Sequence, residues 1–182
     1  VYFDKILVRT SYQNKSDAPA VLFQAFGGLK LCDMNFESVA GTVMMYLLNG
    51  RAAAWLEHIF LDLGAENTDG LQITSCPVIN AHDIEIHLMG RRGLGLLNVD
   101  EALLSNVYVY KSGEDGIRIT NCKKVEMNNV FSVKNGQKNY PSGTTEYFGL
   151  TIYLTSDASR GMDVAINNID SVSYTHLTLP TN

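Results

Sequence analysis

The chain has no apolar run approaching the length of a membrane-spanning helix; the stretch from Thr42 to Leu48 has the length of a single strand. It has no excess of positive charge either. Lys and Arg number 14 against 19 Asp and Glu, for a net charge of −5, and no basic stripe with interleaved aromatics is present. That balance argues against a nucleic-acid partner. Cysteine is scarce and odd in number, three in all, with no Cys/His cluster at zinc spacing, so no metal site is expected from it. No signal peptide is visible, and Val1 in place of Met predicts a truncated N-terminus. What remains is an ordinary composition, 46% hydrophobic over 182 residues, sized for one domain.

What the chain does have is a period. Gly70-Leu71-Gln72-Ile73-Thr74 recurs as Gly93-Leu94-Gly95-Leu96-Leu97 and as Gly116-Ile117-Arg118-Ile119-Thr120, each start 23 residues after the last. A second phrase keeps the same interval: Asp83-Ile84-Glu85-Ile86, Asn106-Val107-Tyr108-Val109, Asn129-Val130-Phe131-Ser132. Phe36 and Ile59 extend the second phrase upstream, with two extra residues before Ile84. Gly149-Leu150-Thr151-Ile152 restates the first phrase after an insertion of about ten residues, and Val164 to Ile169 restates the second. Val21-Leu22-Phe23 and Leu29-Lys30-Leu31 have the pattern of an earlier coil.

A fixed period of this length marks stacked repeats, in which one unit cannot bury its own apolar face. Two short alternating strands per repeat leave no room for a helix. The expectation is an all-β, single-stranded parallel β-helix over residues 1–170, of roughly five to six coils. Leu71, Leu94 and Ile117 should stack in one inward column, with Ile73, Leu96 and Ile119 in the next. Ile84, Val107 and Val130 should form a third, followed by Ile86, Val109 and Ser132. Cys76 and Cys122 share one position of the period with Val99 between them; about 9–10 Å apart, they read as core-facing thiols that cannot bridge.

A polar residue precedes each second phrase: Asn35, His58, Asp83, Asn106, Asn129 and Asn168. Asn and Asp accept left-handed backbone and can hydrogen-bond along a stack of turns. This resembles the asparagine ladder of pectate-lyase-like, right-handed β-helix proteins (the pectin lyase superfamily), over about residues 20–170. Residues 171–182 fall off the period. Val172 to Thr181 resembles a transposon-end adaptor of sequencing libraries translated in frame. The stretch is set apart as a non-native tail, His176 with it, and the native chain is expected to continue beyond Asp170 in another way.

Asp69, Arg92 and Asp115 fall on one position of the period, flanked by Thr68, Arg91 and Glu114. They are the candidate catalytic residues. Two coils separate the aspartates, about 9–10 Å, the upper edge of the carboxylate spacing in inverting glycosidases. Arg92 between them should lower both pKa values, whereas a general acid needs the opposite. The same trio also reads as an ionic ladder that steadies the turns. Asn67-Thr68-Asp69-Gly70 is similar to the Asn-Thr-Asp-Gly motif of polygalacturonases, whose aspartate is an active-site carboxylate. That family's paired aspartates would fall near Gly90-Arg91-Arg92 and its Gly-His-Gly at Glu114-Asp115-Gly116. Neither is present, and no Arg-Ile-Lys follows, which puts that activity in doubt. Pectate-lyase-like enzymes use an arginine base and acidic groups that hold calcium, so the resemblance implies calcium if the chemistry is that of a lyase.

A second surface is aromatic. Phe60, Tyr108 and Phe131 point outward on the second strand, interrupted by Glu85, with Tyr110 two residues past Tyr108. Such rings can stack on sugars, with Arg118 and Gln72 adding hydrogen bonds from the other strand. They can equally be covered by loops or a neighbouring subunit. The inserted loop from Lys134 to Tyr147, with Tyr140, is a further binding candidate or an idle excursion. His58 and His82 read as turn residues, and His87 as the neighbour of Glu85 without a third partner for a catalytic dyad.

The functional expectation is a polysaccharide-processing or polysaccharide-binding protein of the pectin-lyase-like type, a hydrolase or lyase on acidic glycans. The alternative is a non-catalytic glycan-binding adhesin or phage tailspike-type structural protein. In either case the partner is a polysaccharide or glycan. The chain is expected as a monomer or homotrimer that is extracellular, at the cell surface or on a virion.

Overall fold

Alternation with period two buries one face of a strand, and a repeat that returns every coil stacks those faces along an axis. The structure, a computed structural model, describes residues 1–9, 18–37, 41–136, 148–153 and 162–170. The adaptor-like tail and most of the inserted loop, with Tyr140 and Tyr147, lie outside the described residues.

In chain order the strands begin with β1 (Tyr2–Asp4), β2 (Leu7–Arg9), β3 (Val21–Gln24), β4 (Leu29–Glu37) and β5 (Val43–Leu48). They continue with β6 (Ala54–Asp62), β7 (Asp69–Thr74), β8 (Val78–His87), β9 (Leu94–Leu97) and β10 (Glu101–Tyr110). The last are β11 (Ile117–Thr120), β12 (Lys124–Val133), β13 (Leu150–Tyr153) and β14 (Asp163–Asp170). No helix occurs among the described residues.

Every pairing is parallel. One sheet of eight strands runs β1-β4-β6-β8-β10-β12-β14, with β2 also on β4, and a sheet of six runs β13-β11-β9-β7-β5-β3. The chain therefore alternates between two sheets in a β-solenoid of about five turns. The expected columns are present. Leu71, Leu94 and Ile117 face one another, extended by Met45 and Leu150. Ile73, Leu96 and Ile119 do the same, as do Ile84, Val107 and Val130, and Ile86, Val109 and Ser132. Each fully buried Leu or Ile in these columns is worth roughly 1.5–3 kcal/mol by removal from water. Cys76, Val99 and Cys122 are all buried, and the thiols are free; burial pushes both thiol pKa values up.

One register differs from expectation. Met34, not Phe36, stands opposite Ile59, and Phe36 stands opposite Leu61. From 34 to 59 and from 59 to 84 the coil is 25 residues, against 23 from 84 to 107 and from 107 to 130. A shift of two keeps the in–out alternation, so both Met34 and Phe36 are buried and the pattern alone could not choose. The corner residue is accordingly Asp33, and Asn35 points outward, donating to Glu37 Oε1 at 3.2 Å.

Each long strand bends at one left-handed residue: Asp33, His58, Asp83, Asn106, Asn129 or Asn168, with φ between 51° and 56°. There the ladder skips a pair and the alternation restarts. Ala102 and Leu104 before Asn106, and Val107 and Val109 after it, are all buried. Two sheets thus make three flat faces, one more than the two strands per coil expected from the phrases. Asn49, Ser75, Asn98 and Asn121 form a second left-handed column after the six-stranded sheet. Leu63, Leu88, Lys111 and Lys134 form a third where the chain turns back. The coils approach closely on the return to the six-stranded sheet. At Gly93 a Cβ would collide with Val109 Cγ1 and the Gly116 carbonyl oxygen, which is why glycine opens the phrase.

Candidate functional site

The return corner collects Thr68, Asp69, Arg91, Arg92, Glu114 and Asp115. Asp69 is 5% exposed and Asp115 1%. Asp69 Oδ1 accepts the Arg92 backbone N–H at 3.0 Å, while Oδ2 lies 3.6 Å from Arg91 Nη1 and 3.9 Å from Arg92 Nη1. Glu114 meets the same guanidiniums, 3.5 Å from Arg91 Nε and 3.7 Å from Arg92 Nε. Asp115 is held by Arg118 Nε at 2.6 Å, by the Phe148 N–H at 3.0 Å and by the Thr151 hydroxyl at 2.9 Å. The trio is therefore divided: Arg92 sits between Asp69 and Glu114, and Asp115 takes its cation from Arg118.

The electrostatics of this corner depart from the simple ladder. Burial raises the Asp69 pKa, and the Arg92 amide and the two guanidiniums only partly pull it back. A raised carboxyl suits a general acid. Yet the Asp69 side chain is 7% exposed and its oxygens face arginines rather than an open cleft. The donor set does not fit calcium, because every carboxylate of the corner already faces a guanidinium. Among the described residues no group of three or more His, Cys, Asp or Glu is placed to hold a metal ion.

The left-handed corner of the long strands forms a polar ladder. His58 Nδ1 lies 3.0 Å from Asp33 Oδ1, and His58 Nε2 lies 3.5 Å from Asp83 Oδ2. Asn106 donates to Asp83 at 3.0 Å, Asn129 to Asn106 at 3.1 Å, and Asn168 to Asn129 at 3.1 Å. Hydrogen bonds from Asn106 and His82 hold the Asp83 carboxyl below its ordinary pKa.

Beside the ladder, the outward positions of the long strands make two columns. Phe60, Glu85, Tyr108 and Phe131 face one another in the first, and Asp62, His87, Tyr110 and Val133 in the second. A groove of about 520 Å³ runs between ladder and rings, lined by His58, Asp83 and Asn106 on one side and by Phe60, Glu85, Tyr108 and Phe131 on the other. Within the face, His87 packs edge-on against Phe60, Tyr108 and Tyr110 at 5.3, 5.5 and 6.1 Å. Tyr108 and Tyr110 stack at 6.1 Å.

The structure thus brings Phe60, Tyr108, Tyr110 and Phe131 together on one face. Arg118 and Gln72 are not part of it. Both lie on the six-stranded sheet, where Arg118 is paired with Asp115 and packs over Tyr153 at 5.5 Å. Gln72 extends across Gly95 of the next coil. Asp62 was not singled out in the sequence; the register that aligns it with His87 and Tyr110 was the signal that could have found it. No family model matches the chain, and no curated protein or solved structure matches it either.

Proposed function

We propose that the chain is a glycan-binding β-helix protein of the pectin-lyase-like type that holds a polysaccharide along its aromatic face. The supporting observation is the groove itself. Rings of Phe60, Tyr108 and Phe131 recur along the axis on one wall, and hydrogen-bonding ladder residues recur on the other. Flat apolar rings suit the faces of sugars, and ladder amides and carboxylates suit their hydroxyls. Cleavage at Asp69, Arg92 and Asp115 has less support, since both carboxylates are buried and ion-paired. On this reading the protein acts outside the cell or on a virion, where polysaccharide is met.

Calorimetry of the full chain against a panel of polysaccharide oligomers tests the reading. Tyr108→Ala should weaken binding roughly tenfold, the order of one lost aromatic contact. Unchanged affinity in that variant, or no binding to any oligomer, would overturn it. Appearance of reducing ends or unsaturated uronides that disappears in Asp69→Asn would move the assignment to an enzyme. A trimer in light scattering that Tyr108→Ala dissociates would give the rings to a subunit interface instead.

A further inference from the structure

The polar atoms of the aromatic face say more about its ligand than the rings do. Among the described residues no Lys or Arg lines the groove; its titratable lining groups are His58, Asp83 and Glu85. His58 and Asp83 already face each other in the ladder. Glu85 stands mid-column, with Phe60 and Tyr108 opposite it on the two neighbouring coils, and its side chain is 57% exposed. His87 Nε2 is 3.8 Å from Glu85 Oε2, beyond hydrogen-bond length. Lys111 and Lys134 on this side of the molecule both lie over the Tyr110 ring, at 5.1 and 5.6 Å.

An exposed carboxylate framed by aromatic rings calls for a ligand that brings N–H groups and a positive charge. An ammonium pairs with the carboxylate and gains cation–π attraction from the rings. A uronate carboxylate meets like charge at Glu85. We propose that this face selects a glycan carrying protonated amino groups, a glucosamine-type polymer, with an ammonium seated at Glu85 between Phe60 and Tyr108. The inference rests on the glycan-binding reading above. It turns away from the acidic glycans that the family resemblance implies.

The test is calorimetry of the whole chain with three oligomers of equal length at low salt: glucosamine, N-acetylglucosamine and galacturonate. It is run at about pH 6, where the amine is largely protonated. The glucosamine oligomer should bind roughly tenfold tighter than its N-acetylated counterpart, and the margin should shrink with added salt. Glu85→Gln, an exposed and isosteric change, should erase that margin. Equal or tighter binding of the N-acetylated or galacturonate oligomer overturns the proposal, as does a margin that survives Glu85→Gln. If the N-acetylated oligomer binds through Tyr108 without any preference for the amine, only the amino-sugar inference falls. If none of the three binds, the amino-sugar inference falls, and the wider oligomer panel decides the glycan-binding reading.

Discussion

Asn106 does three things at once. It turns the strand at φ 52°, donates to Asp83 at 3.0 Å and accepts from Asn129 at 3.1 Å. Asn106→Ala removes both ladder bonds and leaves a left-handed alanine, so it should cost about 2 kcal/mol. Asn106→Gly loses the same bonds but tolerates the backbone, and should recover about 1 kcal/mol of that loss. Urea midpoints of the two variants check this; equal midpoints would assign the residue's value to the side chain alone. Asp69 gives a second prediction at this scale. Burial lifts its folded pKa above the unfolded value, so the folded chain holds the proton more tightly between the two. The stability this group contributes is present below that window and is lost as pH rises through it. Wild type should therefore lose melting temperature relative to Asp69→Asn as pH climbs from about 4. The opposite slope would show that the pairs with Arg91 and Arg92 outweigh burial.

Among elements, the first phrase was legible because its glycine and its inward residues are fixed by steric contact. At Gly93 the obstacles are a packed valine and a backbone carbonyl, neither of which can move far. At Gly95, two residues on, the obstacle is the end of the flexible Gln72 side chain. Gly93→Ala should cost roughly 3 kcal/mol, the upper end of overpacking, while Gly95→Ala should change stability by under about 1 kcal/mol as Gln72 swings away. Comparable losses in guanidinium melts would mean that Gln72 is held as firmly as the core. The third face was not legible because its inward residues share no phrase. Ile79 and Ala81, Ala102 and Leu104, and Val125 and Met127 vary in size from coil to coil. The aromatic column was legible because rings recur at one outward position. The division of the corner charges was not, since Arg91 and Arg92 are adjacent and Asp115 is satisfied by Arg118 from its own following strand.

Over the whole molecule, each described coil pairs with its neighbours along the axis, so stability is a sum along that axis rather than a property of one core. β10 is paired on both sides along its length, and Ala102, Leu104, Val107 and Val109 are at most 1% exposed. β14 pairs on one side with β12, and its inward Val164 and Ile166 are only half-buried. β1 and β2 at the other end are three residues each and, among the described residues, pair only with β4. Opening of a terminal coil exposes one set of ladder contacts, whereas opening of a central coil breaks two. Amide hydrogen exchange read by mass spectrometry should therefore show a gradient. Peptides over β8, β10 and β12 should exchange slowest, and those over β1, β2 and β14 should exchange faster by orders of magnitude. The aromatic groove spans β6 to β12 and so sits on the most protected part of the stack. That placement gives the groove a rigid platform, and the glycan binding proposed above should slow exchange in β8 and β10 without altering the ends. Uniform protection along the chain would instead mark the solenoid as one cooperative unit, with no weaker end from which it unwinds.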